Sequence, residues 1–372
     1  MISAVFLLIA AAGCLYLLCA AAAAEFSKSA PAPAASSPAV TILKPLNGAE
    51  PCLFENLSSF CAQDYPSPVQ IICGVQDPQD PAIGVVERLR ASFPGADLQL
   101  VVDQTAHGAN LKVANLVNMA RHARHDCIVL ADSDIGVESR YLAQVTAALA
   151  ASGVGAVTCL YHGVAATGFW SRLSALAIDA HFLPNVLVGL RTDLAAPCFG
   201  STIALTRERL AEIGGFEAFA DRLADDYAIG EAVRARGLRV EVPNMLVAHS
   251  CSESSFINLW RHELRWARTI RSVDPAGYAG SLVTHPLAWA LIAVAAGAPA
   301  FGTGVGALAI ASRVVLLRAV RRNFSLAAPP YWLLPIRDLL SFAVFVWSFC
   351  GRDLTWRGRR RHMRADGRLT AD

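Results

Sequence analysis

The chain has 372 residues, of which 54% are hydrophobic and 17% charged, with a mean hydropathy of +0.41. That apolar fraction excludes a disordered chain, and the length excludes a small disulfide-stapled scaffold. With 32 Lys and Arg against 30 Asp and Glu, bulk charge offers nucleic acid no footprint.

Residues 1–25 open the chain with an uncharged, proline-free run from Ile2 to Ala24. Its length suits a hydrocarbon core of about 30 Å. No basic stretch precedes it and it exceeds a signal-peptide core, so an uncleaved anchor is expected. Ala30–Pro38 then marks residues 26–39 as a Pro/Ala/Ser linker. Residues 40–275 read as one mixed-polarity domain, 276–350 as membrane segments and 351–372 as a basic tail. Pro286–Leu317 is expected to be a hairpin or a long helix broken at the Gly-rich Phe301–Gly306, with Arg313 snorkelling to an interface. Tyr331–Cys350 carries Arg337 and Asp338, a possible pair. The clusters Arg318–Arg322 and Arg352–Arg361 both prefer a cytoplasmic face. Ten cysteines without a C-x-x-C pair fit a reducing compartment.

Within 40–275, Val40–Leu43, Val69–Val75, Leu98–Val102 and Cys127–Ala131 have the continuous apolar character of buried parallel strands. Pro81–Phe93 and Ala109–Ala123 have helical spacing between them. This alternation predicts a doubly wound α/β sheet, in which ligands bind beyond the carboxyl ends of the strands.

Acids stand at those ends: Asp77, Asp103, and Asp132 with Asp134. A single Asp after a strand commonly makes a turn or caps a helix; several on one crevice edge suggest a site. Asp132 and Asp134 alternate along an extended segment and so share a side, which suits a hard divalent cation with diphosphate oxygens. Asp225-Asp226 opens a helical stretch, as an N-cap or as an active-site carboxylate. His262, Arg265 and Trp266 fall on one helical face, either for phosphate and acceptor or as part of a basic membrane-surface helix.

This order resembles the family-2 type glycosyltransferases of GT-A fold, and more closely the ceramide glucosyltransferase branch. Ile42–Pro51, Asp64–Pro66, Val75–Ile83, Leu223–Tyr227 and Asp353–Arg360 carry that resemblance. Thr158–Gly163, Trp170–Leu176 and Leu259–Arg271 are most similar to the bacterial glycosyltransferases of hopanoid biosynthesis. The resemblance covers about residues 40–360 and implies a Rossmann-like mixed sheet flanked by N- and C-terminal transmembrane or interfacial helices. It implies a UDP-sugar donor, a divalent metal (Mn2+ or Mg2+) and a lipid acceptor, hopanoid or ceramide, at an inner membrane with the catalytic domain cytoplasmic. Asp77 would hold uridine, Asp132 would sit with metal and diphosphate, and Asp226 would be the catalytic base. Arg265 and Trp266 would complete the RW motif, whose first position, Gln or Arg in the family, is His262 here. The ceramide enzymes read Asp-Ser-Gly where this chain has Asp134 as a further candidate metal ligand. Lys112 and Asn115 stand as phosphate or ribose contacts or as a solvated helix face, and His181 and Cys198 as donor-site lining. A processive polysaccharide synthase and a non-catalytic membrane scaffold are the other classes weighed.

Overall fold

The computed structural model describes residues 2–25 and 37–351 and, beyond them, only the backbone strands Asp353–Trp356, Arg359–Met363 and Leu369–Thr370. The expected linker at 26–39 and the basic tail therefore lie almost wholly outside the described residues. The chain divides into two compact units. A sheet unit takes Ser29–Ala166, Ala196–Ser252 and Arg361–Asp372; a helical unit takes Met1–Lys28, Thr167–Ala195 and Glu253–Arg360. Thr167–Ala195, expected inside the 40–275 domain, thus groups with the helices.

In the sheet unit, β1 (Val40–Pro45), β2 (Val69–Val75), β3 (Asp97–Val102) and β4 (Cys127–Leu130) are the four apolar runs read from sequence. They pair in parallel in the order β3-β2-β1-β4. Every residue of β1 and β4 is buried, as a sheet covered on both faces requires. Three further strands extend this sheet: β8 (Ile203–Thr206), antiparallel to β4, then β6 (Val154–Thr158) and β9 (Arg239–Glu241). The Leu111–Ala120 helix packs Val113, Leu116 and Val117 into the core beside Leu43, Ile72 and Ile128. A second, three-stranded sheet joins β5 (Ile135–Gly136), β10 (Leu246–Cys251) and β7 (Leu160–Ala165), and sets His249 opposite Ile135.

Among the described residues the helical unit holds three helical stretches long and apolar enough to cross a membrane, Ile2–Ala24, Phe169–Arg191 and Pro299–Phe324, and a fourth if the bent pair Pro275–Thr284 and Pro286–Ala295 forms one span. Ile2–Glu25 packs by stacking Phe6 on Trp289 and by bonding Tyr16 Oη to Asn185 Oδ1. The chain breaks at 296–298, between the Pro286–Ala295 and Pro299–Phe324 helices, and not at Phe301–Gly306. Gly297 takes φ 93° there, a left-handed turn. Gly302 instead allows close packing, since a Cβ on it would lie 2.9 Å from the carbonyl oxygen of Ala290.

Arg313 does not snorkel; it is 1% exposed. Its guanidinium meets Asp338 at 3.1 Å and donates to the carbonyls of Ala180 (2.8 Å) and Thr284 (2.7 Å). Ala180 lies in a π-helical turn and Thr284 ends a turn before the next helix. A buried Arg thus satisfies carbonyls that irregular helix geometry leaves unpaired. Arg337 and Asp338 take different partners. Arg337 forks onto both Glu263 carboxylate oxygens at 2.5 and 2.7 Å, while Asp338 holds Arg313 and His181.

Candidate functional site

Asp132 and Asp134 follow β4, at the carboxyl edge where the alternation placed them. The nearby Asp225–Arg234 helix begins with Asp225 and Asp226. Gly200 joins these pieces. Its N–H donates to Asp226 Oδ2 at 3.0 Å, and its carbonyl accepts from the Asp132 N–H at 3.2 Å. A Cβ at this position would sit 2.5 Å from Asp132 Oδ2 and 2.9 Å from Lys112 Nζ. Glycine is therefore what lets the carboxylates and the ammonium converge.

Lys112 Nζ lies 2.6 Å from Asp132 Oδ1 and 3.4 Å from Asp225 Oδ2. Asn110 presents it by capping its helix, accepting from the N–H groups of Lys112 and Val113. Burial opposes the charge on Lys112, but Asp132, Asp225 and Asp226 outweigh it and hold its pKa above the ordinary lysine range. Lys44, wholly buried in β1, donates to the Asp132 carbonyl at 2.5 Å and lies over the Phe60 ring at 4.0 Å. Burial brings it down to about 8, with Asp134 and Asp132 opposing.

Asp226 is shifted the other way. Burial, then repulsion from Asp225, pushes its carboxyl up to about 6, against the pull of Lys112. A carboxylate tuned toward neutrality and still half-exposed has the character of a general base.

Asp134 Oδ1 is buried without a hydrogen-bond partner, and His249 Nδ1 stands 3.6 Å from it. Tyr161 packs against His249 with ring centroids 5.5 Å apart. A carboxylate and an imidazole suit Mn2+, while Mg2+ would rest on the carboxylate alone. Among the described residues no group of three or more His, Cys, Asp or Glu is arranged to hold a metal. The remaining ligands must then come from substrate oxygens and water, a common arrangement where a cation meets phosphates. The residues fit a metal on those terms, with Asp134 the open carboxylate and Asp132 engaged by Lys112.

The other residues singled out from sequence scatter in role. Asp77 is exposed at the end of β2, and its Oδ1 accepts from the Gln79 N–H at 2.9 Å, which is the turn reading. One strand separates β2 from β4, or about 10 Å across the sheet. Lys112 is not on a solvated face, and neither is Asn115. Asn115 is 1% exposed and gives its amide to the Gly74 carbonyl at 2.8 Å, so it braces β2 from behind. Cys198 is buried against Gly230, on the Asp225–Arg234 helix. His181 belongs to the helical unit, bonded to Asp338 at 2.9 Å. So do His262, Arg265 and Trp266, on the Phe256–Val273 helix. The i, i+4 spacing brings His262 and Trp266 edge to face at 4.7 Å, and His262 Nδ1 bonds Glu253 Oε1.

Sequence reading missed Lys44, Gly200 and His249. Lys44 left a signal, a lone charge inside an apolar strand. Gly200 and His249 left none, because only the tertiary fold shows what they approach.

Similarity to known proteins agrees with this architecture. The chain is 25% identical over 233 residues to ceramide glucosyltransferase 1 of Caenorhabditis elegans, covering 62% of this chain and 49% of that protein. It is 34% identical over 114 residues to the ceramide glucosyltransferase of Candida albicans, covering 28% and 21%. The chain thus spans about half the length of the first of these relatives, or less. Among solved structures, the mannosyltransferase PcManGT of Pyrobaculum calidifontis, in complex with GDP-Man and Mn2+, matches with a TM-score of 0.55 at 21% identity. That match covers 94% of this chain and 99% of the other, and it is a likeness of fold, the GT-A fold. The family match itself runs over residues 5–369, nearly the whole sequence, and the chain belongs to glycosyl transferase family 21.

Proposed function

We propose that this protein is a membrane-bound, inverting glycosyltransferase that moves a sugar from a UDP-sugar to a lipid hydroxyl. The observation that carries the reading is the junction at Gly200, where Asp226, with its carboxyl raised to about 6, adjoins the Asp132–Lys112 pair. Asp226 accepts the proton of the acceptor hydroxyl as that oxygen attacks the anomeric carbon. The bond from that carbon to the diphosphate breaks, and UDP leaves with the electron pair. A single base and direct displacement invert the anomeric centre. Lys112, which keeps its charge, lies beside the acids to donate to diphosphate oxygens. Asp134 and His249 would hold the divalent cation, which when bound neutralises charge on the departing diphosphate. Asp77 serves the uridine end, and Arg265 and Trp266 the diphosphate and acceptor.

The sugar is N-acetylglucosamine from UDP-GlcNAc and the acceptor a bacteriohopanepolyol, a reading supported by the resemblance of Thr158–Gly163, Trp170–Leu176 and Leu259–Arg271 to the bacterial glycosyltransferases of hopanoid biosynthesis. Similarity to the ceramide glucosyltransferases supports ceramide and UDP-glucose as the second reading. The protein sits in an inner membrane with its catalytic domain cytoplasmic, the side that clusters of basic residues prefer. The test supplies purified full-length protein with each lipid and each labelled UDP-sugar and identifies products by mass spectrometry. A single lipid glycoside with UDP-GlcNAc and hopanoid is expected. Transfer to ceramide alone moves the assignment to the second reading, and a polymer or no transfer contradicts both.

A further inference from the structure

We propose that the segment Phe169–Arg191, despite a length and composition fit to cross a bilayer, lies along the membrane surface with both ends on one side. An α-helix (Phe169–Ala177), a π-helical turn (Ile178–Phe182) and a second α-helix (Leu183–Arg191) follow one another directly. At 1.5 Å per residue the stretch is about 34 Å long, enough to span.

The covalent chain forbids it. Before the segment, the Ala166 N–H is bonded to the Cys251 carbonyl at 2.9 Å, at the ends of β7 and β10. After it, the Phe199 N–H is bonded to Thr158 Oγ1 at 2.8 Å, at the end of β6. Both anchors belong to the sheet unit, one folded body whose described strands, none of them part of a closed barrel, do not cross a bilayer. The return path is short because Thr192–Ala195 folds back on the helix end. Leu194 and Ala195 both donate to the Gly189 carbonyl, at 2.9 and 3.1 Å. Ala195 then has four Cα steps to reach Phe199, about 14 Å at full stretch. A transverse helix would hold its far end about 34 Å from its near end. The return would also carry unpaired backbone through hydrocarbon, which lipid does not tolerate.

Side chains agree with an in-plane placement. The protein covers 56% of the segment's most apolar window, against 22% for Ile2–Ala24. Among the partly open positions Phe182, Val186 and Leu190 recur every four residues, and Leu194 beyond the helix end is 84% exposed. An apolar stripe on a largely covered helix suits the headgroup–acyl boundary. The occupant of this stripe is therefore lipid. This placement does not depend on which sugar or acceptor the protein uses.

The test uses the full-length protein in sealed vesicles, with Cys19 and Cys350, both exposed, replaced by Ser. Thr167→Cys and Thr192→Cys are labelled separately with a membrane-impermeant maleimide and read against the parent lacking them. Both cysteines should label from the same face, within about twofold of one another. Labelling from opposite faces overturns the proposal. As a second readout, bimane on Val186→Cys and Leu194→Cys should be quenched more strongly by lipids brominated near the headgroup than by those brominated near the chain end. Stronger deep quenching, or no lipid quenching at either position, also overturns it.

Discussion

Both units bury charge, but they balance it differently. In the helical unit two guanidiniums, Arg313 and Arg337, meet two carboxylates, Asp338 and Glu263, and the charges cancel. In the sheet unit four carboxylates, Asp132, Asp134, Asp225 and Asp226, gather around two ammonium groups, Lys44 and Lys112. Acids outnumber the ammonium groups there, and Glu50 adds a further carboxylate acting on Lys44. Matched charge in the helical unit ties helices where water cannot reach; unmatched charge in the cleft raises Asp226 and leaves Asp134 Oδ1 without a hydrogen bond. At these two clusters, matched charge goes with a structural role and unmatched charge with chemistry.

The largest expected effect tests the matched side. Arg313→Met leaves Asp338 buried against His181 and strands the carbonyls of Ala180 and Thr284. It should destabilise the detergent-solubilised protein by about 3–5 kcal/mol, measured by thermal unfolding. The double variant Arg313→Met/Asp338→Leu should recover part of that loss, and a double variant no more stable than the single would break the comparison. A smaller effect sharpens the unmatched side. Asp226 must be ionised to accept a proton, and its carboxyl lies at about 6. Turnover should therefore fall as pH drops through about 6, by about tenfold per unit below it. A rate that is flat down to the ordinary carboxylate range would remove the raised carboxyl from the rate-limiting step.

Much of the sheet was legible because its strands are buried on both faces and read as unbroken apolar runs. Val69–Val75 matches the observed strand at both ends, and β1, β3 and β4 differ from their expected bounds by at most two residues. The pairing of Asp132 with Lys112 was not legible, since it depends on a strand and a helix meeting in three dimensions. Helix breaks were misread for a related reason. Phe301–Gly306 looked like punctuation, yet Gly302 serves close helix packing, and the turn fell at Gly297 just before Pro299. Arg313 looked like a snorkelling residue because its partners, Ala180, Thr284 and Asp338, lie 25 or more positions away in sequence.

The central claim, that Asp226 is the base of the cleft, is tested most directly by measuring turnover, UDP-sugar affinity and thermal stability of Asp226→Asn together. A carboxyl whose pKa is raised on folding contributes stability below its unfolded pKa and loses it as pH rises through about 6. At pH 7.5 the substitution relieves the repulsion with Asp225, so the melting temperature should stay level or rise. Donor affinity should hold within about twofold while kcat falls by about 100-fold or more. Undiminished turnover, or a loss of donor affinity large enough to account for the whole loss of rate, would contradict the account.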